Sequence, residues 1–97
     1  MSYQLENETD LALQYPKQYK VYLLNDDYTT MEFVIDVLMS IFHKTYEEAE
    51  AIMLEVHNNN KGLCGIYPHE IAETKIMQLT KKAKEHGFPL KATMEEE

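Results

Sequence analysis

The chain has 97 residues, with 17 acidic side chains against 9 basic ones and a formal net charge of −8. That length holds one domain with a modest core. All the basic residues are lysines; without arginine, the side chain suited to bidentate phosphate and guanine contacts, and with an acidic surface, nucleic-acid binding is not expected and a cationic partner suits the chain better.

Residues 1–15 carry Glu6, Glu8 and Asp10, no basic residue and scattered apolar side chains, the pattern of a disordered acidic arm preceding a core domain over residues 16–97. They lack the basic start and apolar stretch of a signal peptide. The chain contains no apolar run of about 18 residues, so a soluble cytoplasmic protein that does not enter the membrane is expected. Residues 19–24 are rich in strand formers and stop at Asn25-Asp26, a strong breaker. Thr29 and Glu32 are spaced as a capping box for a helix that begins near Thr30. Its stripe of Met31, Val34, Ile35, Leu38, Ile41 and Phe42 runs to about His43.

Thr45 with Glu48 repeats the capping box, and Ala49, Ile52, Met53 and Val56 form the stripe of a second helix. Asn58-Asn59-Asn60 ends that helix, since asparagine tolerates a left-handed cap. Residues 63–67 form a second strand, in which Cys64, the only cysteine, reads as a buried small hydrophobe that forms no disulfide within the chain. Pro68 suits the first turn of a third helix with the stripe Ala72, Ile76, Leu79 and Ala83. Gly87 and Pro89 terminate it, and residues 90–94 form a last strand. The order β-α-α-β-α-β predicts an α+β sandwich, helices packed on a three-stranded antiparallel sheet.

Met53 and His57, four apart on the second helix, share one face. If that face packs against the Asn25-Asp26 junction, an amide oxygen, a carboxylate and an imidazole nitrogen meet beside Met31, Val34, Met53 and Leu90. An ammonium offers three donors and no acceptor, which Asn25, Asp26 and neutral His57 match. Methionines adapt to apolar guests of different shapes. A polypeptide α-amino group followed by a large hydrophobic side chain combines both halves. Residue by residue, blander readings stand beside this one: Asn25-Asp26-Asp27 as a turn and cap, Met53 as core filler, His57 as a helix-end histidine. Three other functions also remain open. One is a hydrolase based on His57 with Asp26 or Asp27, though no nucleophile elbow, phosphate loop or metalloprotease motif is present. Another is a divalent-cation module at the acidic turn, which falls short of an EF-hand loop. The last is a docking domain that reads no N-terminus.

The segments Tyr19-Lys20-Val21, Leu24-Asn25-Asp26-Asp27-Tyr28-Thr29, Met31-Glu32-Phe33-Val34, the Met53…Val56-His57 pair, Cys64-Gly65 and Ala72-Glu73-Thr74-Lys75 closely resemble the ClpS family. Its members are bacterial adaptors that deliver N-end-rule substrates to a Clp AAA+ protease. The resemblance runs from about Pro16 to the C-terminus. It implies a non-enzymatic, monomeric adaptor without cofactor or metal, whose partners are N-degron peptides and proteins beginning with Leu, Phe, Tyr or Trp. By the same resemblance Asn25, Asp26 and His57 bind the α-amino group, and Thr29, Met31, Val34, Met53, Val56 and Leu90 line the side-chain pocket. Met31 then gates against β-branched residues. Glu70 and Lys75 dock on the unfoldase's N-terminal domain, and the arm assists handover. Thr30 stands where many members have proline and Asn60 where a glycine is common; both are expected to be tolerated.

Overall fold

The computed structural model describes residues 16–97; the expected acidic arm lies outside the described residues. Strand β1 (Gln18–Leu24) is followed by helices α1 (Met31–Ser40) and α2 (Tyr46–Asn59), strand β2 (Lys61–Pro68), helix α3 (His69–Glu85) and strand β3 (Lys91–Glu96). The order is β-α-α-β-α-β, as the sequence pattern predicts. The sheet is antiparallel with order β2-β1-β3, so β1 is its central strand.

Alternation along β1 turns Val21 and Leu23 into the core, where both are fully buried. Against them pack Phe33, Val34, Val37 and Leu38 of α1, Ala49, Met53 and Val56 of α2, and Ala72, Leu79 and Ala83 of α3. The register of β2 slips between Val21 and Tyr22, which face Gly65 and Leu63 respectively. Cys64 is the extra residue of that bulge and is fully buried.

The helix ends show how local chemistry is allotted. At α2 the expected capping box is present, with Glu48 N–H donating to Thr45 Oγ1 at 3.1 Å and Thr45 N–H to Glu48 Oε1 at 2.9 Å. At α1 the cap lies one residue later than the spacing of Thr29 and Glu32 suggests. Thr30 is the N-cap and accepts from Phe33 N–H at 3.1 Å, because the carboxylate of Asp26 claims Thr29. Thr30 has φ −71°, a value proline also adopts, which explains why either residue suits this position. Helix α1 ends at Ser40 rather than near His43; Ile41 is its C-cap and His43 turns the chain at φ 57°. Ile41 and Phe42 continue the apolar stripe into the core after the helix has ended.

Asn60 caps α2 in the left-handed region at φ 69°, one of the few non-glycine residues that does so at little cost. At the end of α3 the C-cap is His86, at φ −96°, and the residue after it, Gly87, takes the left-handed region at φ 77°. There Phe88 N–H reaches back to Ala83 C=O at 2.9 Å and Gly87 N–H to Lys84 C=O at 3.1 Å, the paired bonds of a Schellman end.

Helix α2 approaches β2 closely at Gly62. A Cβ there would lie 2.7 Å from Val56 Cγ2 and 3.0 Å from the Ile52 carbonyl oxygen, and neither atom belongs to a flexible side-chain end. Gly62→Ala should therefore force α2 outward and cost about 1–3 kcal/mol, as overpacking of a close contact does. Urea unfolding checks this, and an unchanged midpoint would show that the helix yields freely.

Candidate functional site

Strand β1 ends at Leu24, and Asn25 N–H donates to Asn60 C=O at 2.9 Å. This bond extends the β1–β2 ladder by one rung, into the cap of α2. It sets the last two turns of α2, with Met53, Val56 and His57, beside the junction Asn25–Thr29. The start of α1 supplies the facing wall. Together these elements enclose a cavity of about 260 Å³, just under the range of drug-sized ligand pockets and suited to one side chain. Val34, Met53 and Val56 are buried in it, while Met31 at its mouth is 52% exposed. Asn25, Asp26, Asp27, Thr29 and His57 complete the lining.

Asp26 is held by its own turn. Oδ1 accepts from Tyr28 N–H at 2.8 Å and Thr29 N–H at 2.6 Å, and Oδ2 accepts the Thr29 hydroxyl at 2.7 Å. Partial burial pushes this carboxyl up, but the bonds from Thr29 and Tyr28 outweigh it, and the net shift is below the ordinary value. A carboxylate has about four lone-pair sites. Three are used here, which leaves one, on Oδ2, for a further donor. Among the described residues, neither the Asn25 side chain nor the His57 imidazole has a hydrogen-bond partner. The mouth thus presents unused acceptor capacity above an apolar floor.

Of the residues expected to line a side-chain pocket, Leu90 stands apart. It is buried in the core and is not part of this cavity's lining. Asp27 lines the cavity, a role that sequence reasoning missed by treating it as part of the turn. Its position next to Asp26 in a tight turn was the available signal.

Glu70 is exposed in the first turn of α3. Lys75 is half-buried; its Nζ donates to Ile41 C=O at 2.7 Å and lies over the Phe42 and Tyr67 rings. It thereby satisfies the carbonyl end of α1, whose last turn carries no basic residue. Five residues on a helix correspond to about 140° of rotation, so Glu70 and Lys75 do not form one stripe. Burial pushes the Cys64 thiol up to about 12, too high for a nucleophile at neutral pH. Among the described residues no group of three or more His, Cys, Asp or Glu is arranged to hold a metal ion. No helix among them is long and apolar enough to cross a membrane.

Residues 14–93 match the family model of the ATP-dependent Clp protease adaptor protein ClpS. An ATP-dependent Clp protease adapter protein ClpS from Wolinella succinogenes is 52% identical over 94 residues, covering 97% of this chain and 92% of that protein. One from Campylobacter jejuni is 55% identical over 85 residues, covering 88% of each. The structure of Agrobacterium tumefaciens ClpS2 bound to L-phenylalaninamide superposes with a TM-score of 0.83 at 42% identity, covering 86% of this chain and all of that one.

Because the folded carboxyl of Asp26 titrates below its ordinary value of 3.8, its contribution to stability is complete above that value. It is lost as pH falls through the lower, folded one. Wild type should therefore lose its stability advantage over Asp26→Asn on acidification through this range, and thermal unfolding of both proteins at a series of pH values checks it. A gap independent of pH would contradict the depressed titration.

Proposed function

The chain belongs to the ClpS family of Clp protease adaptors, proteins named for adaptor rather than enzymatic roles, and on that premise we propose that it binds the free α-amino group and bulky first side chain of N-degron proteins and delivers them to a Clp AAA+ unfoldase. The observation that carries this reading is the division of the cavity into an acceptor-lined mouth and an apolar floor. The three donors of an ammonium find the Asn25 amide oxygen, the open site on Asp26 Oδ2 and a neutral His57 nitrogen. The first side chain enters between Met31, Val34, Met53 and Val56. Thr29 serves the amine end by fixing Asp26 rather than by forming apolar wall.

L-phenylalaninamide, the ligand of the Agrobacterium relative, joins a free amine to a benzyl side chain and ends in an amide, as the first residue of a polypeptide does. Its chemistry supports the same reading for this chain. Burying one large side chain contributes about 1.5–3 kcal/mol, and each charge-assisted bond to the ammonium about 1.5–3 kcal/mol. Association costs at least about 4 kcal/mol. With three such bonds, the upper end of these ranges leaves about 8 kcal/mol, so an affinity of about 1 μM is the tightest that this contact supports.

The first residues accepted are Leu, Phe, Tyr and Trp, with Met31 at the mouth disfavouring a branch at Cβ. The adaptor acts as a cytoplasmic monomer and leaves all ATP-driven work to the unfoldase, docking on its N-terminal domain through Glu70 and Lys75. Because Lys75 also closes the end of α1, Glu70 is the more freely available of the two. Residues 1–15 assist handover.

Fluorescence anisotropy should show saturable binding of a labelled peptide beginning with Leu or Phe, and none for its N-acetylated twin or a twin beginning with Ser. Equal binding of all of them, or of none, would overturn the reading. Asp26→Ala should weaken the free-amine peptide by at least about tenfold, from loss of one charge-assisted bond. Met31→Ala should admit peptides beginning with Ile or Val, and competition against the Leu peptide measures this. Continued exclusion of β-branched residues would remove Met31 from the gate.

A further inference from the structure

A second cavity, of about 290 Å³, adjoins the first and shares Asn25 and Asp26 with it. Its remaining walls come from elsewhere in the fold: Leu24 at the end of β1, Tyr28 in the turn, and Pro89 and Lys91 where the chain enters β3. Leu24 and Lys91 face each other across the β1–β3 ladder, so the aliphatic stem of Lys91 and the Leu24 side chain lie side by side. Tyr28 is 78% exposed, the most exposed large apolar side chain among the described residues. Its backbone N–H is fixed on Asp26, yet its ring joins none of the aromatic pairs found among those residues.

We propose that this second cavity receives an apolar side chain, preferentially aromatic, from the second or third residue of the same peptide whose first residue fills the first cavity. The inference rests on the first-residue reading and extends it to the chemistry of the second and third positions. An amine held at Asn25 and Asp26 is held at the shared wall. A peptide advances about 3.3 Å per residue, so its next two side chains fall within about 7 Å of that wall. The surfaces that meet them are a tyrosine ring, a proline ring, a leucine and a lysine stem. These pack against flat apolar groups and offer little to a small polar residue. Selection would then be graded by the residues after the first, without altering which first residues are accepted.

The test uses three labelled peptides with C-terminal amides and a common polar tail, beginning Leu-Gly-Gly, Leu-Phe-Gly and Leu-Gly-Phe. For wild type, phenylalanine at one of the two positions should tighten binding by about three- to tenfold over Leu-Gly-Gly, the range of one aromatic pair. Tyr28→Ala should bring that ratio close to one, and Tyr28→Phe should keep it. Equal affinities of the three peptides for wild type, or a ratio that survives Tyr28→Ala, would overturn the second cavity's role and leave the first-residue reading intact. Failure of all three to bind would sink the first-residue reading and this inference with it.

Discussion

The backbone bond from Asn25 N–H to Asn60 C=O fastens the end of the central strand to the end of the second helix, and the geometry of the site depends on it. Lys61 already pairs with Leu24 in the sheet, so Asn60 stands where the next ladder partner belongs while still capping α2. That double use requires the left-handed backbone at Asn60, which carries the chain directly from the helix into the strand. The close approach at Gly62 holds the same helix down on β2. Relax either constraint, and His57 and Met53 no longer face the junction that carries Asp26.

Within that frame the site is preorganised on its polar side and adaptable on its apolar side. Three donors from Tyr28 and Thr29 orient the Asp26 carboxylate and keep it ionised before any ligand arrives. For the ammonium of the proposed ligand the charge is thus already fixed, which reduces the ordering that association demands. The apolar side carries Met31 and Met53, flexible and polarizable side chains of a type that adapts to apolar groups of different shape. The net charge of −8 attracts cationic groups at long range, an effect weakened by salt.

Helix α3 secures the other end of α1. Lys75 bonds the carbonyl of Ile41, and Lys82 reaches Asp36 at 2.8 Å and Ser40 at 3.0 Å. Lysines of one helix thus hold the C-terminal half of another. A surface residue such as Lys75 therefore has a structural duty alongside any part in docking, and its substitution alters the end of α1 as well as the surface.

The sequence alone determined the element order, since hydrophobic periodicity and end signals such as Thr45 with Glu48, Asn60 and Gly87 are local and act wherever the chain goes. It also marked Asn25, Asp26, Met31, Met53 and His57 as candidates for a site that grips a cation beside an apolar group, because their types and spacing carry that chemistry. Its open points were those that depend on competition between neighbours. Thr29 and Thr30 are equivalent as caps by spacing, and only the folded turn, where Asp26 takes both donors of Thr29, assigns the cap to Thr30. The same holds for the early end of α1, where burial of Ile41 and Phe42 continues the helical stripe beyond the helix. That Leu90 sits in the core and Asp27 lines the cavity, and that Tyr28, Leu24, Pro89 and Lys91 meet in a second one, was decided by the tertiary structure. Those residues come from strand, turn and distant loop, and nothing in their spacing encodes the distance between them.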